Sequence, residues 1–191
     1  MSFAETLKTG RTTESHIARW LMSRGHAVLP AYEIMEQRFK GPQLFTQDDS
    51  FVSPDMLIFK GPNIIWVEAK HKTVFTWHRK TNQWTTGIDL HHYSQYMHVS
   101  KQTKLPVWLM FFHVESTPDP RDVKYGCPAA CPTGLFGGEL FSLIAKENHR
   151  SPGLNQNEGI TGHGKSGMVY WAQSSLTRMA NKDDLLGLDA A

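Results

Sequence analysis

Cysteine is scarce in this chain: two in 191 residues, too few for a disulfide framework. There is no run of 18 apolar residues, so no membrane partner is expected. The opening Met1-Ser2-Phe3-Ala4-Glu5-Thr6 lacks the apolar core of a signal peptide, and a cytoplasmic protein is expected. A surplus of one charge is also missing. Twenty Lys and Arg against 18 Asp and Glu leave a net charge of +2, too little by itself to establish a nucleic-acid partner. Internal repeats and low-complexity tracts are absent. Hydrophobic residues make up 40% of the chain, which excludes disorder by composition and supports one domain with a substantial core.

The informative stretch is Ser53-Pro54-Asp55, then twelve residues, then Glu68-Ala69-Lys70. Met56-Leu57-Ile58-Phe59 and Ile64-Ile65-Trp66-Val67 are short, apolar and rich in β-branched and aromatic residues, which predicts two buried strands. Lys60-Gly61-Pro62-Asn63 between them has turn chemistry. Side chains alternate across a strand, so Glu68 and Lys70 share a face with Trp66 while Val67 and Ala69 point the other way. A hairpin brings Asp55 beside Glu68, placing two carboxylates and an ammonium at the end of a sheet.

Such a cluster suits phosphodiester hydrolysis. Mg²⁺ takes oxygen ligands and keeps several waters, so Asp55, Glu68 and the Ala69 carbonyl suffice on the protein side, with Mn²⁺ as a substitute. A metal there polarises a phosphoryl oxygen and acidifies bound water. Lys70 orients that water or offsets charge developing on phosphorus. An ordinary surface hairpin carrying a Glu-x-Lys pair is the competing reading.

Pro54-Asp55 and Glu68-Ala69-Lys70 resemble the two motifs of the PD-(D/E)xK nuclease superfamily. Gly10-Arg11-Thr12-Thr13-Glu14, followed by Ile17, Leu21, Gly25 and Val28, resembles the opening helix of archaeal Holliday-junction resolvases and their phage relatives. Trp84 to Asp89, Tyr93, Tyr96 and Pro106-Val107-Trp108-Leu109 are similar to phage nucleases of the same superfamily. The resemblance implies an α/β fold, restriction-endonuclease-like, with a mixed central sheet flanked by helices. It implies a nuclease core over residues 1–115. Residues 116–191 are then an irregular extension packed on the same domain, with a strand and helix near 167–180. It also implies that Glu14 reaches the metal site. The bland reading of Glu14 is an acidic residue near a helix N-terminus, favoured by the macrodipole. Glu33 is a rival for the same role. The implied activity is metal-dependent DNA cleavage of phage-like type, endonucleolytic or selective for junctions and flaps. RNA stays open as a substrate because a metal site does not distinguish sugars, and a homodimer is compatible with paired cuts. The alternative is a non-catalytic nucleic-acid-binding or interaction module on the same fold.

Along the chain, Thr12 or Thr13 is predicted to cap a helix ending near Ser23, with Ile17, Ala18, Trp20 and Leu21 as its buried stripe. His26–Pro30 reads as a strand, continued by Tyr32 to Met35, and residues 36–50 read as irregular. Thr85 to Ser100 reads as a helix, and Val107 to Phe112 as a central strand apolar on both faces. DNA contacts are expected from the basic, aromatic segment after Lys70, at Lys72, Trp77, His78, Arg79 and Lys80. The helix after it offers His91, His92, Tyr93 and Gln95, with Tyr93 and Gln95 taken as contacts. Tyr93, Tyr96, Val99 and Ser100 also fit a packing stripe. Cys127 and Cys131 invite zinc with His149 and His163, but histidines so far apart in unrelated contexts argue against it. Gly159-x4-Gly164-Lys165-Ser166 meets the Walker A pattern, yet a polar stretch precedes it and a strand follows it, so it is expected to be a loop.

Overall fold

A computed structural model of the chain describes residues 3–31, 42–153 and 167–189, with side chains from residue 9 through 188. Its centre is a six-stranded mixed sheet. The order is β1 (Ala27–Pro30), β4 (Met56–Lys60), β5 (Asn63–Lys72), β8 (Val107–His113), β9 (Gly134–Glu139) and β12 (Thr177–Ala180). Only β5 and β8 run parallel; the other neighbours are antiparallel. Helices flank this sheet, as expected. α1 (Phe3–Ser23) lays Ile17 and Leu21 on the face formed by Val67, Ala69, Met110 and Phe112. α2 (Leu90–Thr103) lays Tyr93, Tyr96 and Val99 on the opposite face, against Trp66, Leu109 and Phe111. A second, antiparallel sheet packs on that same core, with the order β10 (Glu147–Ser151), β11 (Met168–Ala172), β7 (Gln83–Asp89) and β6 (Thr76–His78). Trp171 and Ile88 are its buried contributions.

The β4–β5 hairpin forms as the sequence predicts. Lys60 pairs with Asn63 across Gly61-Pro62, and Gly61 takes φ +57°, the backbone a tight hairpin asks of its first loop residue. Met56 opposite Val67 sets the register, which leaves Asp55 at the level of Glu68. β8 lies between β5 and β9 and is buried along nearly its whole length, as its unbroken apolar run requires. Gly25 follows α1 with φ +81°, the left-handed end a helix favours.

Four elements differ from the sequence reading. α1 begins at Phe3, not at Thr12 or Thr13, because neither threonine caps it; Thr13 is buried in mid-helix and its Oγ1 lies 3.0 Å from His71 Nδ1. The stretch 36–50, read as irregular, contains regular structure in its described part: β2 (Gln43–Phe45) pairs with β3 (Ser50–Val52) in a small ribbon. Thr85 to Asp89 is strand, and the helix starts only after Asp89, whose carboxylate accepts from His91 N–H as an N-cap. Residues beyond 115 are woven into both sheets through β9, β10, β11 and β12, with the short helices α3 (Pro120–Val123), α4 (Leu140–Ile144) and α5 (Lys182–Leu186) between and after them. Gly134, Gly137 and Gly138 conceal β9 in the sequence, since glycine weakens strand propensity. Gly137 is needed there: a Cβ would stand 2.5 Å from the Leu109 carbonyl oxygen. Tyr32 to Met35, Glu33 among them, and Gly159 to Ser166 lie outside the described residues. Among the described residues, no helix is long and apolar enough to cross a membrane.

His113 is wholly buried, stacked on Phe75 at 3.5 Å between ring centroids and edge-on to Phe136. Burial first, then Lys72 and His71, hold its pKa down to about 3. The unfolded chain takes up this proton near pH 6.5 while the folded chain does not. Stability therefore falls as pH drops from about 6.5 toward 3, by at most about 1.4 kcal/mol per unit. Melting temperatures at pH 7 and pH 5 should differ less in His113→Leu than in the wild type; an unchanged difference would assign the acid sensitivity to another group.

Candidate active site

Glu68 and Lys70 emerge from the second half of β5 on the face of Trp66, and Asp55 stands just before β4. The hairpin brings all three together. Asp55 Oδ2 accepts the Ala69 backbone N–H at 2.8 Å, which fixes the carboxylate across the two strands. Glu68 is 1% exposed, and its Oε1 is ion-paired to Lys70 Nζ. Its Oε2 is buried with no hydrogen-bond partner among the described residues. Glu14 approaches from α1, near enough to feel Glu68 and Lys70 electrostatically. Because α1 starts at Phe3, Glu14 lies in mid-helix, and the macrodipole explanation for it no longer applies.

The electrostatics are those of a site with too few cations. Burial, then Glu68, pushes the Asp55 carboxyl well above the ordinary carboxylate range, and Lys70 only partly offsets this. Burial and Glu68 also raise Glu14, against Lys70 and Arg11. Burial disfavours the Lys70 ammonium, but Glu68, Asp55 and Glu14 outweigh it and its pKa rises. Lys70 is thus a firmly held cation.

These groups open into a cleft of about 570 Å³ lined by Gln43, Ser50, Asp55, Glu68, Lys70 and the α2 residues His91, His92, Gln95 and Tyr96. Gln95 stands in the cleft and its Oε1 accepts Val52 N–H at 2.9 Å. Tyr93 points elsewhere, donating its hydroxyl to Glu147 Oε1 at 2.7 Å. Tyr96, read from the sequence as packing, is both: 2% exposed and facing the Glu68 carboxylate, which together with burial pushes its phenol well above the usual value. Burial, then Lys70, keeps His92 below the usual imidazole range. The spacing 92, 95, 96 is one helix face, and that signal selects these side chains once the helix start at Asp89 is known. Gln43 and Ser50 carry no such signal.

The segment after Lys70 is largely occupied by intramolecular partners. Trp77 is 9% exposed, edge-on to Trp84 with ring centroids 5.0 Å apart, and donates to the Tyr125 carbonyl. Arg79 binds Asp122 through Nε and Nη2 and lies 3.8 Å over the Tyr125 ring. His78 stacks on His149 at 3.7 Å. Lys80 is exposed in the β6–β7 turn. Lys72 is partly buried, and burial, then Lys70, lowers its pKa to about 8. Cys127 and Cys131 are buried free thiols, donating to the backbone carbonyls of Pro128 and Glu115. His149 is held between His78 and Tyr170, and His163 lies outside the described residues.

Among the described residues, no three His, Cys, Asp or Glu side chains converge into a ready-made metal cage. A hard divalent cation does not require one, since it binds through one or two carboxylates with water and substrate phosphate completing its shell. The orphaned Glu68 oxygen and the surplus of carboxylate over ammonium fit such an ion.

No family model matches the chain, and no curated protein matches it. Among solved structures, Hjc of Archaeoglobus fulgidus, a Holliday junction resolvase from an archaeal hyperthermophile, aligns over 87% of this chain and 90% of its own. The TM-score is 0.45 and the identity 10%. A likeness that loose transfers no activity.

Proposed function

We propose that this chain is a divalent-metal-dependent DNA nuclease, hydrolysing phosphodiester bonds as an endonuclease or a nuclease selective for junctions or flaps. The observation that supports it is Glu68: a carboxylate 1% exposed, one oxygen on Lys70 and the other unpartnered, beside Asp55 in an open cleft. Buried charge is costly unless it is compensated, and an orphaned oxygen at a cleft is a place for a ligand. Asp55, Glu68 and the Ala69 carbonyl would hold Mg²⁺ or Mn²⁺, with Glu14 holding the ion or its water. Bound there, the ion supplies Lewis-acid polarisation of the phosphoryl oxygen and an acidified water.

The chain's own residues do the rest. Hydrolysis adds a water oxygen to phosphorus and breaks one phosphorus–oxygen ester bond, with negative charge building on the phosphoryl oxygens. Lys70 stays protonated, so it serves as a cation against that charge and not as a base. Tyr96 keeps its proton beside Glu68 and adds no charge to the site.

The test is cleavage of a labelled panel: linear duplex, single strand, flap, four-way junction and RNA, with Mg²⁺, Mn²⁺ or chelator. At least one DNA member is cut with metal and none with chelator. Failure to cut any member, or cutting undiminished by chelator, contradicts the proposal.

A further inference from the structure

The active-site cleft has three walls: β5 with Glu68 and Lys70, α2, and the β2–β3 ribbon with Gln43, Ser50 and Val52. The ribbon is fixed in place. Val52 N–H donates to Gln95 Oε1 on α2, and Ser53 N–H donates to the Pro42 carbonyl at 2.9 Å, closing the ribbon's base. Phe51 is 7% exposed and stacks on His98 of α2, ring centroids 5.3 Å apart and planes 10° off parallel. At the tip, Thr46 and Asp49 exchange backbone and hydroxyl hydrogen bonds.

Size and charge then select the substrate. The cleft holds about 570 Å³, the scale of a small-molecule site, and Glu68, one of its lining residues, is 1% exposed. The space between ribbon and α2 is where a phosphate would approach Glu68. A duplex would have to bring both its strands past the ribbon, whereas a single strand needs only the space between ribbon and α2. Among the described residues lining the cleft, Lys70 is the one Lys or Arg, against Asp55 and Glu68. Duplex binding relies on many phosphate contacts, and among the described residues this cleft offers one ammonium. Instead it is lined by the amide of Gln43 and by His91 and His92, the latter stacked on Tyr96, polar and aromatic groups of the kind that meet unpaired bases.

We propose that the cleft accepts one unpaired DNA strand, seated between the β2–β3 ribbon and α2 with a phosphate over Glu68. This rests on the nuclease reading and names its substrate class.

Ser50 is exposed on the ribbon and lines the cleft, and the native thiols are buried, so Ser50→Cys places a single accessible reporter. Its labelling by a maleimide is followed with Ca²⁺ in the buffer, alone, with oligothymidine, or with a blunt hairpin duplex of equal nucleotide content. Saturating oligothymidine slows labelling by about tenfold, as occupancy dictates, and the hairpin leaves it nearly unchanged. Equal protection by the hairpin, or no protection by oligothymidine, overturns the proposal. Cleavage by the wild type separates this from the reading beneath it. Cutting of perfect duplex and single strand at equal rates keeps the nuclease and removes the single-strand site. Protection by oligothymidine without cutting of any substrate keeps the strand site and removes the nuclease.

Discussion

Lys70→Ala cuts DNA about a hundredfold to a thousandfold more slowly than the wild type, the usual consequence of removing one preorganised donor aimed at developing charge. The loss falls on the chemical step, so saturating DNA does not restore the rate. Lys70 is also the partner of a carboxylate that is 1% exposed. Removing one member of a buried pair destabilises a protein, here discounted because the Lys70 side chain is itself 29% exposed. The variant therefore melts lower than the wild type. Lys70→Met retains most of the aliphatic stem and controls for packing, and circular dichroism confirms that both remain folded at the assay temperature. A folded Lys70→Ala protein cutting at the wild-type rate would remove Lys70 from the mechanism.

Asp55→Asn separates stability from activity in the opposite direction. Burial and Glu68 raise the Asp55 pKa in the folded protein, so folding favours the protonated carboxyl. The sign follows: the stability from a raised carboxyl is fully present below its unfolded pKa near 4 and is lost as pH rises through the folded pKa. At pH 8, without metal, the wild type has therefore lost stability relative to pH 4. Asparagine carries no charge, and its side-chain oxygen still accepts the Ala69 N–H that Asp55 accepts now. Metal-free Asp55→Asn therefore melts several degrees above the wild type at pH 8, and the gap closes on acidification toward pH 4. The same variant loses cleavage and loses the melting-temperature gain from Mg²⁺. Melting below the wild type at pH 8 would show that Asp55 is held by a partner stronger than the repulsion of Glu68.

These residues were legible because their contacts are local. Asp55, Glu68 and Lys70 sit on one hairpin with a two-residue loop, so alternation along the strand and the register across it place them without knowledge of the rest of the chain. The strand Val107–His113 was legible for another reason: a segment apolar on both faces has few homes except the middle of a sheet. The contacts of Trp77, Arg79 and Tyr93 were not legible. Their partners Tyr125, Asp122 and Glu147 lie 48, 43 and 54 residues away, and nothing in a basic, aromatic segment announces a distant carboxylate that will neutralise it. The Thr85–Asp89 strand was concealed by its direct run into α2, although Asp89 two residues before His91 carried an N-cap signal. The ribbon walling the cleft was hidden by the shortness of its strands, three residues each. Tyr96 shows the limit of a one-role reading: it completes the packing stripe and faces the site at once.

On the proposed reading, the unpartnered Glu68 oxygen and the crowded carboxylates around it form a site for a divalent cation. Mn²⁺ binding, read by electron paramagnetic resonance on the wild type and on Glu68→Gln, tests it before any substrate is known. The wild type binds the ion at millimolar Mn²⁺ or below, and Glu68→Gln, folded and otherwise intact, binds far more weakly. Equal binding by the two proteins, or none by the wild type, would contradict the claim.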